Sequence, residues 1–221
     1  MLKLEGGYHG SADAAQVSVN AGVDAAPYPQ GKGQGPGVPD DVVGDVLVTP
    51  YNDLATLERT VRAHAHELAA VIIEPVLGSA GVLLPEPGFL PALRELTERL
   101  GMLLIFDEVI SFRLGYGGAQ GRFGVAPDLT TLGKIIGGGL PVGAFGGREA
   151  IMRRFDPRSP GYLGHGGTFN ANPATMAAGL ATLAELTPAA YDRLEGLAAD
   201  LKAKLCDLFE ELGIPAQVHQ V

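Results

Sequence analysis

At 221 residues, the chain is long enough for one α/β domain of ordinary size, and its 46% apolar and 19% charged residues are typical of a globular protein. The net charge of −9 argues against a nucleic-acid binder, although glycines and helix N-termini can still bind phosphate in an acidic protein. The single cysteine, Cys206, excludes an internal disulfide and indicates a cytoplasmic protein, and no apolar run approaches the ~20 residues that span a membrane.

The first forty residues predict one short strand followed by irregular structure. Residues 2–4 form the strand and lead into a glycine-rich turn that contains Tyr8 and His9. The flanking glycines leave the Tyr8 ring free to lie against a flat ligand, although a turn aromatic can also pack on the surface. His9 is a candidate for an indirect role, and isolated histidines near turns are more often structural. Residues 22–41 are rich in proline and glycine, which predicts a long irregular excursion.

Residues 46–106 alternate between predicted strands and predicted helices. The strands are residues 46–48, 70–73 and 102–106, and the helices are residues 54–68 and 89–100. Asn52 and Asp53 are both placed to cap the first of these helices, and Glu74 directly follows the second strand. The order strand, helix, strand is typical of a parallel sheet with right-handed crossovers.

Two residues at predicted strand ends carry the strongest functional signal. Asp107 ends the apolar run at residues 102–106, and Lys134 follows a predicted strand at residues 128–132. In open parallel sheets, ligands bind just beyond the carboxyl ends of the strands. The glycines at residues 137–139 allow a tight turn and a close approach to a ligand. A lysine withdrawn from water in such a site has a more nucleophilic amine, so Lys134 is a candidate Schiff-base lysine.

Each of these two residues also has a structural interpretation. A strand-end aspartate is often a helix cap or the partner of a nearby arginine such as Arg113, and a lysine beside glycines is usually a solvated loop residue. The combination is more specific, because pyridoxal phosphate enzymes need a lysine for the imine and an acid at the pyridine nitrogen. Asp107 and Lys134 therefore predict a pyridoxal phosphate site. No histidine lies at a metal-ligand spacing from the carboxylates, so no metal site is predicted.

The C-terminal third predicts further strands and three helices. Strands are predicted at residues 142–146 and 214–221, and helices at residues 148–155, 173–186 and 188–212. Asn172 with Pro173 is a good N-cap and first-turn pair, and Thr187 repeats the device before the last helix. The last helix carries an apolar stripe of six leucines and ends at Gly213.

Several ordered segments resemble the class III (subgroup II) pyridoxal phosphate aminotransferases, and within that class the glutamate-1-semialdehyde 2,1-aminomutase group. The matching segments are Ile73-Glu74-Pro75, Asp107-Glu108-Val109, Ala126-Pro127-Asp128-Leu129 and LGKIIGGG at residues 132–139. The resemblance runs from Leu4 to about Gly179. It implies a three-layer α/β fold of the aspartate-aminotransferase type (PLP fold type I), with a mainly parallel sheet.

The resemblance also implies a division of the chain and its incompleteness. Residues 1–187 would form the cofactor-binding large domain, and residues 188–221 would form a long helix and the start of a small C-terminal domain. In the family, a phosphate-binding loop precedes the matching segments and most of the small domain follows them. We therefore expect both ends to be incomplete, and we expect the chain as it stands to bind the cofactor weakly and to have little or no transaminase or mutase activity.

The resemblance assigns roles to individual residues. The residues that would bind pyridoxal phosphate are Lys134, Asp107, Val109, Tyr8 and Thr168. The residues that would support the site or face the substrate are Glu74, Asn52 and His9. Lys134 would bind the cofactor covalently and move protons, and Asp107 would keep the pyridine nitrogen protonated. The ring would lie between Tyr8 and Val109, and Thr168 would reach the cofactor phosphate of the neighbouring subunit in a homodimer. Pyridoxamine phosphate is the other form of the cofactor in the cycle.

Two departures from the aminomutase pattern bear on the substrate. Between Val109 and Arg113 the aminomutases usually carry a Thr-Gly pair before the Phe-Arg, whereas this chain has only Ser111 there, one residue fewer. The segment HGGTFN at residues 165–170 resembles β-amino-acid transaminases at least as well. The expected reaction is therefore 5-aminolevulinate formation or a closely related transamination of small amino and keto substrates. An ω- or β-amino-acid transaminase that uses pyruvate or 2-oxoglutarate is the alternative. A second alternative is an inactive truncated relative that acts as an interaction module.

Overall fold

The centre of the fold is a six-stranded sheet with the strand order β2-β1-β3-β4-β5-β6. A computed structural model describes residues 1–20 and 26–221. The strands are β1 (Leu2–Leu4), β2 (Leu47–Thr49), β3 (Ala70–Ile73), β4 (Leu103–Asp107), β5 (Leu129–Gly133) and β6 (Gly143–Gly147). The first five strands run parallel and β6 is antiparallel to β5. This arrangement confirms the predicted α/β fold with a mainly parallel sheet.

Helices connect and cover the strands. The α-helices of the described residues are α1 (Asp40–Gly44), α2 (Leu54–Ala63), α3 (Phe89–Arg99), α4 (Gly118–Phe123), α5 (Glu149–Met152), α6 (Pro173–Glu185) and α7 (Pro188–Glu211). A 3-10 helix at Ser111–Leu114 follows β4, and another at Lys134–Gly137 follows β5 directly. The side chains of Asn172 and Thr187 accept hydrogen bonds from first-turn N–H groups of α6 and α7, which confirms both predicted caps.

Two predicted elements were wrong in extent or existence. The helix predicted at residues 54–68 ends at Ala63, because the chain turns after His64 and brings Leu68 into the core before β3. No strand forms at residues 214–221. An extended segment needs a neighbouring strand to pair with, and residues 214–221 pair with none of the six strands of the described sheet.

The irregular excursion predicted at residues 22–41 is described only in part, since residues 21–25 lie outside the described ranges. Residues 26–39 contain no helix or strand, as predicted from their proline and glycine content. An isolated bridge between Gln30 and Leu47 holds this segment beside β2. The prediction fails at its last two positions, where α1 begins at Asp40.

The two faces of the sheet differ in character. One face packs against α2 and α3 in a core that includes Leu57, Val61, Leu90, Leu93, Val71, Leu104 and Phe106. Successive side chains of a strand point to opposite faces, so Lys3, Ile72 and Ile105, which are paired in register, share the second face. Asp107 follows two residues after Ile105 and lies on that face as well. The functional groups therefore occupy the face opposite the α2–α3 core.

The C-terminal helices carry much of the exposed apolar surface. Leu197 and Leu201 on α7, Leu212 at the C-cap of α7 and Leu180 on α6 are each more than half exposed. The predicted domain boundary at residue 187 falls between these helices and stays a prediction. Among the described residues, no helix combines the length and apolarity that crossing a membrane requires.

Candidate active site

A cavity of about 210 Å³ opens at the carboxyl ends of the central strands. It is lined by Tyr8, His9, Gly10, Ile72, Glu74, Asp107, Val109, Ile110, Thr131 and Lys134. Six of the eight predicted site residues therefore meet in one place, although they come from four separate parts of the chain. The cavity is smaller than the ~300–1,000 Å³ of pockets for drug-sized ligands, which suits a single aromatic ring better than a larger molecule.

Asp107 is the last residue of β4, and hydrogen bonds hold its buried carboxylate at both oxygens. The imidazole Nδ1 of His9 lies 2.8 Å from Oδ2, and the backbone N–H of Val109 donates to Oδ1 over 3.1 Å. An ionised carboxylate only accepts hydrogen bonds, so its partner Nδ1 must carry the proton. The ion-pair partner of Asp107 is thus His9 rather than the Arg113 considered from the sequence. This pairing fixes the direction in which the acid faces the cavity.

The partner His9 is itself buried and has one ring nitrogen without a partner. Its side chain is only 4% exposed. Within the described residues, Nε2 has no hydrogen-bond partner, and the same is true of the buried hydroxyl of Thr131. Thr131 pairs directly with Asp107 across β4 and β5. The cavity wall therefore carries unsatisfied polar atoms beside the acid, a common sign of a place built for a ligand.

Lys134 lines the cavity in an unusual backbone conformation, and the residue is exposed rather than withdrawn from water as the sequence predicted. It follows Gly133 of β5 without any intervening loop and begins a 3-10 helix. Its φ is +47°, in the left-handed region that side chains other than glycine rarely adopt. Such a residue costs on the order of 1–3 kcal/mol and persists only where the surroundings hold it.

The backbone of α6 packs against the turn at Lys134 and holds it in place. A Cβ atom on Gly179 of α6 would overlap the carbonyl oxygen of Ile136, and one on Gly138 would overlap the carbonyl oxygen of Ala178. The turn and the helix thus pack backbone against backbone, which only glycine permits at both points. Gly138 also has a positive φ of +59°.

We expect Gly179→Ala to destabilise the protein by about 1–3 kcal/mol, because the added methyl group must push α6 away from the Lys134 turn. The matched control is Gly196→Ala in α7, where the added methyl group meets no atom within 4 Å. A helix-interior glycine replaced without strain should raise stability by about 0.5–1 kcal/mol. Urea unfolding of both variants measures the difference, and equal shifts in the two would show that the α6 contact is not tight.

Glu74 ties the Tyr8 segment to β3. Its buried carboxylate accepts hydrogen bonds from the backbone N–H of Tyr8, at 2.9 Å, and from that of Gly78, at 3.3 Å. Burial raises the pKa of Glu74 above its ordinary value, and these two N–H donors oppose the rise. The Tyr8 ring remains 44% exposed at the cavity wall, where a flat ligand can cover it.

Two predicted residues lie outside this cavity. The Asn52 amide donates to the carbonyl oxygen of Leu84 at 2.8 Å and accepts from the N–H of Glu86 at 2.9 Å. These bonds attach Asn52 to a neighbouring loop, while Asp53 caps α2 through the N–H of Thr56. Thr168 is exposed on the segment that precedes α6.

Sequence reasoning missed several functional candidates. The sequence places Thr131 only within a predicted strand, and its position beside Asp107 depends on the pairing of β4 with β5. Lys3 was also missed. It is fully buried, and burial lowers its pKa to about 8, although the nearby carboxylates of Glu5 and Glu74 raise it.

The full chain, residues 1–221, matches the model of the class III aminotransferase family. It is 48% identical over 223 aligned residues to glutamate-1-semialdehyde 2,1-aminomutase 2 of Brevibacillus brevis, an alignment that covers 100% of this chain and 51% of that protein. The chain thus spans about half the length of the curated relatives it matches.

Two solved structures are also similar to this chain over its whole length. An omega-transaminase from Sphaerobacter thermophilus superposes with a TM-score of 0.95 at 48% identity, covering 100% of this chain and 51% of that chain. A glutamate-1-semialdehyde aminomutase from Pseudomonas aeruginosa in complex with PMP superposes with a TM-score of 0.82 at 33% identity, covering 100% and 49%. Since the family match extends over every residue, this chain belongs to the class III aminotransferase family.

Proposed function

We propose that this chain carries the pyridoxal phosphate site of an enzyme that transfers amino groups. One observation carries the proposal: Asp107 and Lys134, from separate strands, line a single small cavity together with Tyr8 and Val109. Membership of the class III family supports it, as does the similarity to an aminomutase structure in complex with PMP.

The residues of the cavity fit the cofactor. One carboxylate, one amine and several apolar side chains surround a ring-sized space, and unpartnered polar atoms of His9 and Thr131 adjoin the acid. Lys134 would bind the aldehyde carbon, and Asp107 would bind the ring nitrogen. Tyr8 and Val109 would cover the ring faces. When bound, the cofactor supplies an aldehyde that condenses with amines and a protonated ring that withdraws electrons.

Each side chain then has a defined task. His9 donates from Nδ1 to Asp107, and the Val109 N–H donates to the other oxygen, so both oxygens of the carboxylate are held in place where they would bind the ring nitrogen. The Nζ of Lys134 would accept the proton from the substrate carbon and would return it at the cofactor carbon C4′. Glu74 supports the site indirectly, because its carboxylate accepts a hydrogen bond from the Tyr8 N–H.

The relatives support a proposal for the substrate class and the assembly. We propose glutamate-1-semialdehyde aminomutase activity, supported by the identity to the Brevibacillus protein. A transaminase is the second candidate, favoured by the higher TM-score of the omega-transaminase. A cytoplasmic homodimer in which Thr168 serves the partner's phosphate completes the proposal. The exposed Phe169 next to Thr168, at 82%, gives this segment an apolar side chain for a subunit contact.

The deciding experiment loads pyridoxal phosphate onto a form of the protein that has the full length of its relatives, and offers it either glutamate-1-semialdehyde alone or amino donors with pyruvate or 2-oxoglutarate. The aminomutase forms 5-aminolevulinate without any added keto acid, whereas a transaminase forms product only when a keto acid is present. We expect turnover in the first assay. Failure to take up the cofactor, together with no turnover in either assay, would contradict the proposal and favour an interaction module.

A further inference from the structure

We propose that Lys3 is a positioning residue, which together with Glu74 clamps the peptide group between Gly7 and Tyr8 and thereby places Tyr8 and His9 in the cavity. The inference rests on the proposed function for its consequence, because Tyr8 and His9 matter only if the cavity holds the cofactor. The clamp itself is a property of the folded chain.

The first half of the clamp is the buried ammonium group of Lys3. Its side chain leaves β1 on the face opposite the α2–α3 core and is fully buried. Nζ donates to the carbonyl oxygens of Gly7, at 2.7 Å, of Ala15, at 3.3 Å, and of Val17. Three N–H groups thus meet three carbonyl groups. Within the described residues, no carboxylate lies within ion-pair distance of this amine.

The second half is the carboxylate of Glu74. The N–H of Tyr8 donates to Glu74 over 2.9 Å. The carbonyl of Gly7 and the N–H of Tyr8 belong to the same peptide group, so a cation holds its oxygen and an anion holds its nitrogen. Hydrogen bonds to charged groups are roughly twice as strong as neutral ones. Rotation of this peptide plane would break both bonds at once.

The clamped peptide stands immediately before both cavity residues. Tyr8 begins at its nitrogen, and His9 follows and reaches Asp107 over 2.8 Å. A continuous series of contacts therefore leads from Lys3 through the peptide to His9 and the acid. Burial lowers the pKa of Lys3 to about 8, which shows that keeping this amine charged inside the protein costs free energy. An apolar side chain would fill the same space without that cost but could not hold the Gly7 carbonyl.

A purely structural role would give a different pattern. If Lys3 only anchored the loop near Ala15 and Val17, its loss would weaken the whole fold evenly. If it clamps the peptide, its loss must loosen the Tyr8 N–H in particular, even though Glu74 is unchanged. The two charges would also act as a unit, so that the effects of losing each one would not add.

The test is amide hydrogen exchange in the cofactor-free full chain, read by NMR at Tyr8 and at Leu104. The Leu104 N–H donates to Asp128 and reports general opening of the sheet. We expect Lys3→Met to speed exchange at Tyr8 at least tenfold more than at Leu104. In the double variant Lys3→Met with Glu74→Gln, the acceleration at Tyr8 should exceed that of the more affected single variant by less than threefold. Equal acceleration at both amides, or additive effects, would overturn the clamp. Lys3→Gln, which keeps two donors without charge, is judged by the same criteria if Lys3→Met does not fold.

The control is Thr49→Val. Thr49 is fully buried on β2, beside β1, and its hydroxyl has no partner within the described part of the chain. This change should leave exchange at Tyr8 unaltered.

A titration with pyridoxal phosphate then tests the consequence: we expect Lys3→Met to weaken affinity at least fivefold and Thr49→Val to leave it unchanged. Equal affinity in Lys3→Met and the wild type would overturn the positioning role. If the wild type itself takes up no cofactor, the proposed function fails, while the exchange result still decides the clamp.

Discussion

Lys134→Ala is expected to eliminate amino transfer and the yellow colour that covalently bound pyridoxal phosphate gives the protein. The side chain supplies the only amine that lines the described cavity. In the proposed function it would also carry the proton between substrate and cofactor, a general acid–base contribution worth roughly 10²–10⁴-fold in rate. Absorbance after addition of the cofactor and the rate with the best amino donor measure the two losses separately.

The matched control for this variant is Lys204→Ala. Lys204 lies exposed on α7 and, among residues 1–20 and 26–221, pairs only with Asp200 on the same helix, so its loss should change neither colour nor rate. Retention of colour and of more than a tenth of the rate in Lys134→Ala would show that another amine does this work.

Asp107→Asn is expected to lower turnover by roughly 10²–10³-fold, the range seen when one preorganised electrostatic partner is removed from an active site. The amide is almost the same size as the carboxylate but has no charge to keep the ring nitrogen protonated. Its NH₂ group also faces either His9 Nδ1 or the Val109 N–H, where the carboxylate had accepted a hydrogen bond. The buried pair therefore loses its fixed orientation as well.

Turnover must be compared with stability to interpret this change. Asp41→Asn in α1 is the control, since Asp41 is an exposed acid far from the cavity lining. We expect an unfolding midpoint in Asp107→Asn close enough to the wild type that the protein stays folded at the assay temperature. Near-normal turnover in a folded Asp107→Asn protein would mean that the acid is structural.

Asp107 and Lys134 could be predicted from the sequence because their signal is local. Each stands at the end of a predicted strand, and the carboxyl ends of neighbouring parallel strands meet at one edge of a sheet. The alternation of strands and helices along the chain is also a local pattern, and it predicted the mainly parallel sheet. The strand pairing that brings the two residues to one cavity confirms the geometric part of that reasoning.

The remaining features depend on contacts between distant segments. The carbonyl groups that surround Lys3, the contact between Gly179 and Ile136, and the place of Thr131 beside Asp107 all require tertiary structure. No spacing along the chain encodes them. Asn52 shows the opposite difficulty, because its local pattern fitted either a substrate contact or a cap. In the structure its amide instead holds the loop at Leu84.

The central claim is that Lys134 binds pyridoxal phosphate covalently, and borohydride reduction followed by peptide mass mapping tests it most directly. Reduction fixes the cofactor onto whichever amine has condensed with its aldehyde, so the modified peptide identifies the residue. We predict the mass of the reduced cofactor on the peptide that contains Lys134 and on no other. The same mass on a peptide containing a different lysine, with the Lys134 peptide unmodified, would contradict the assignment.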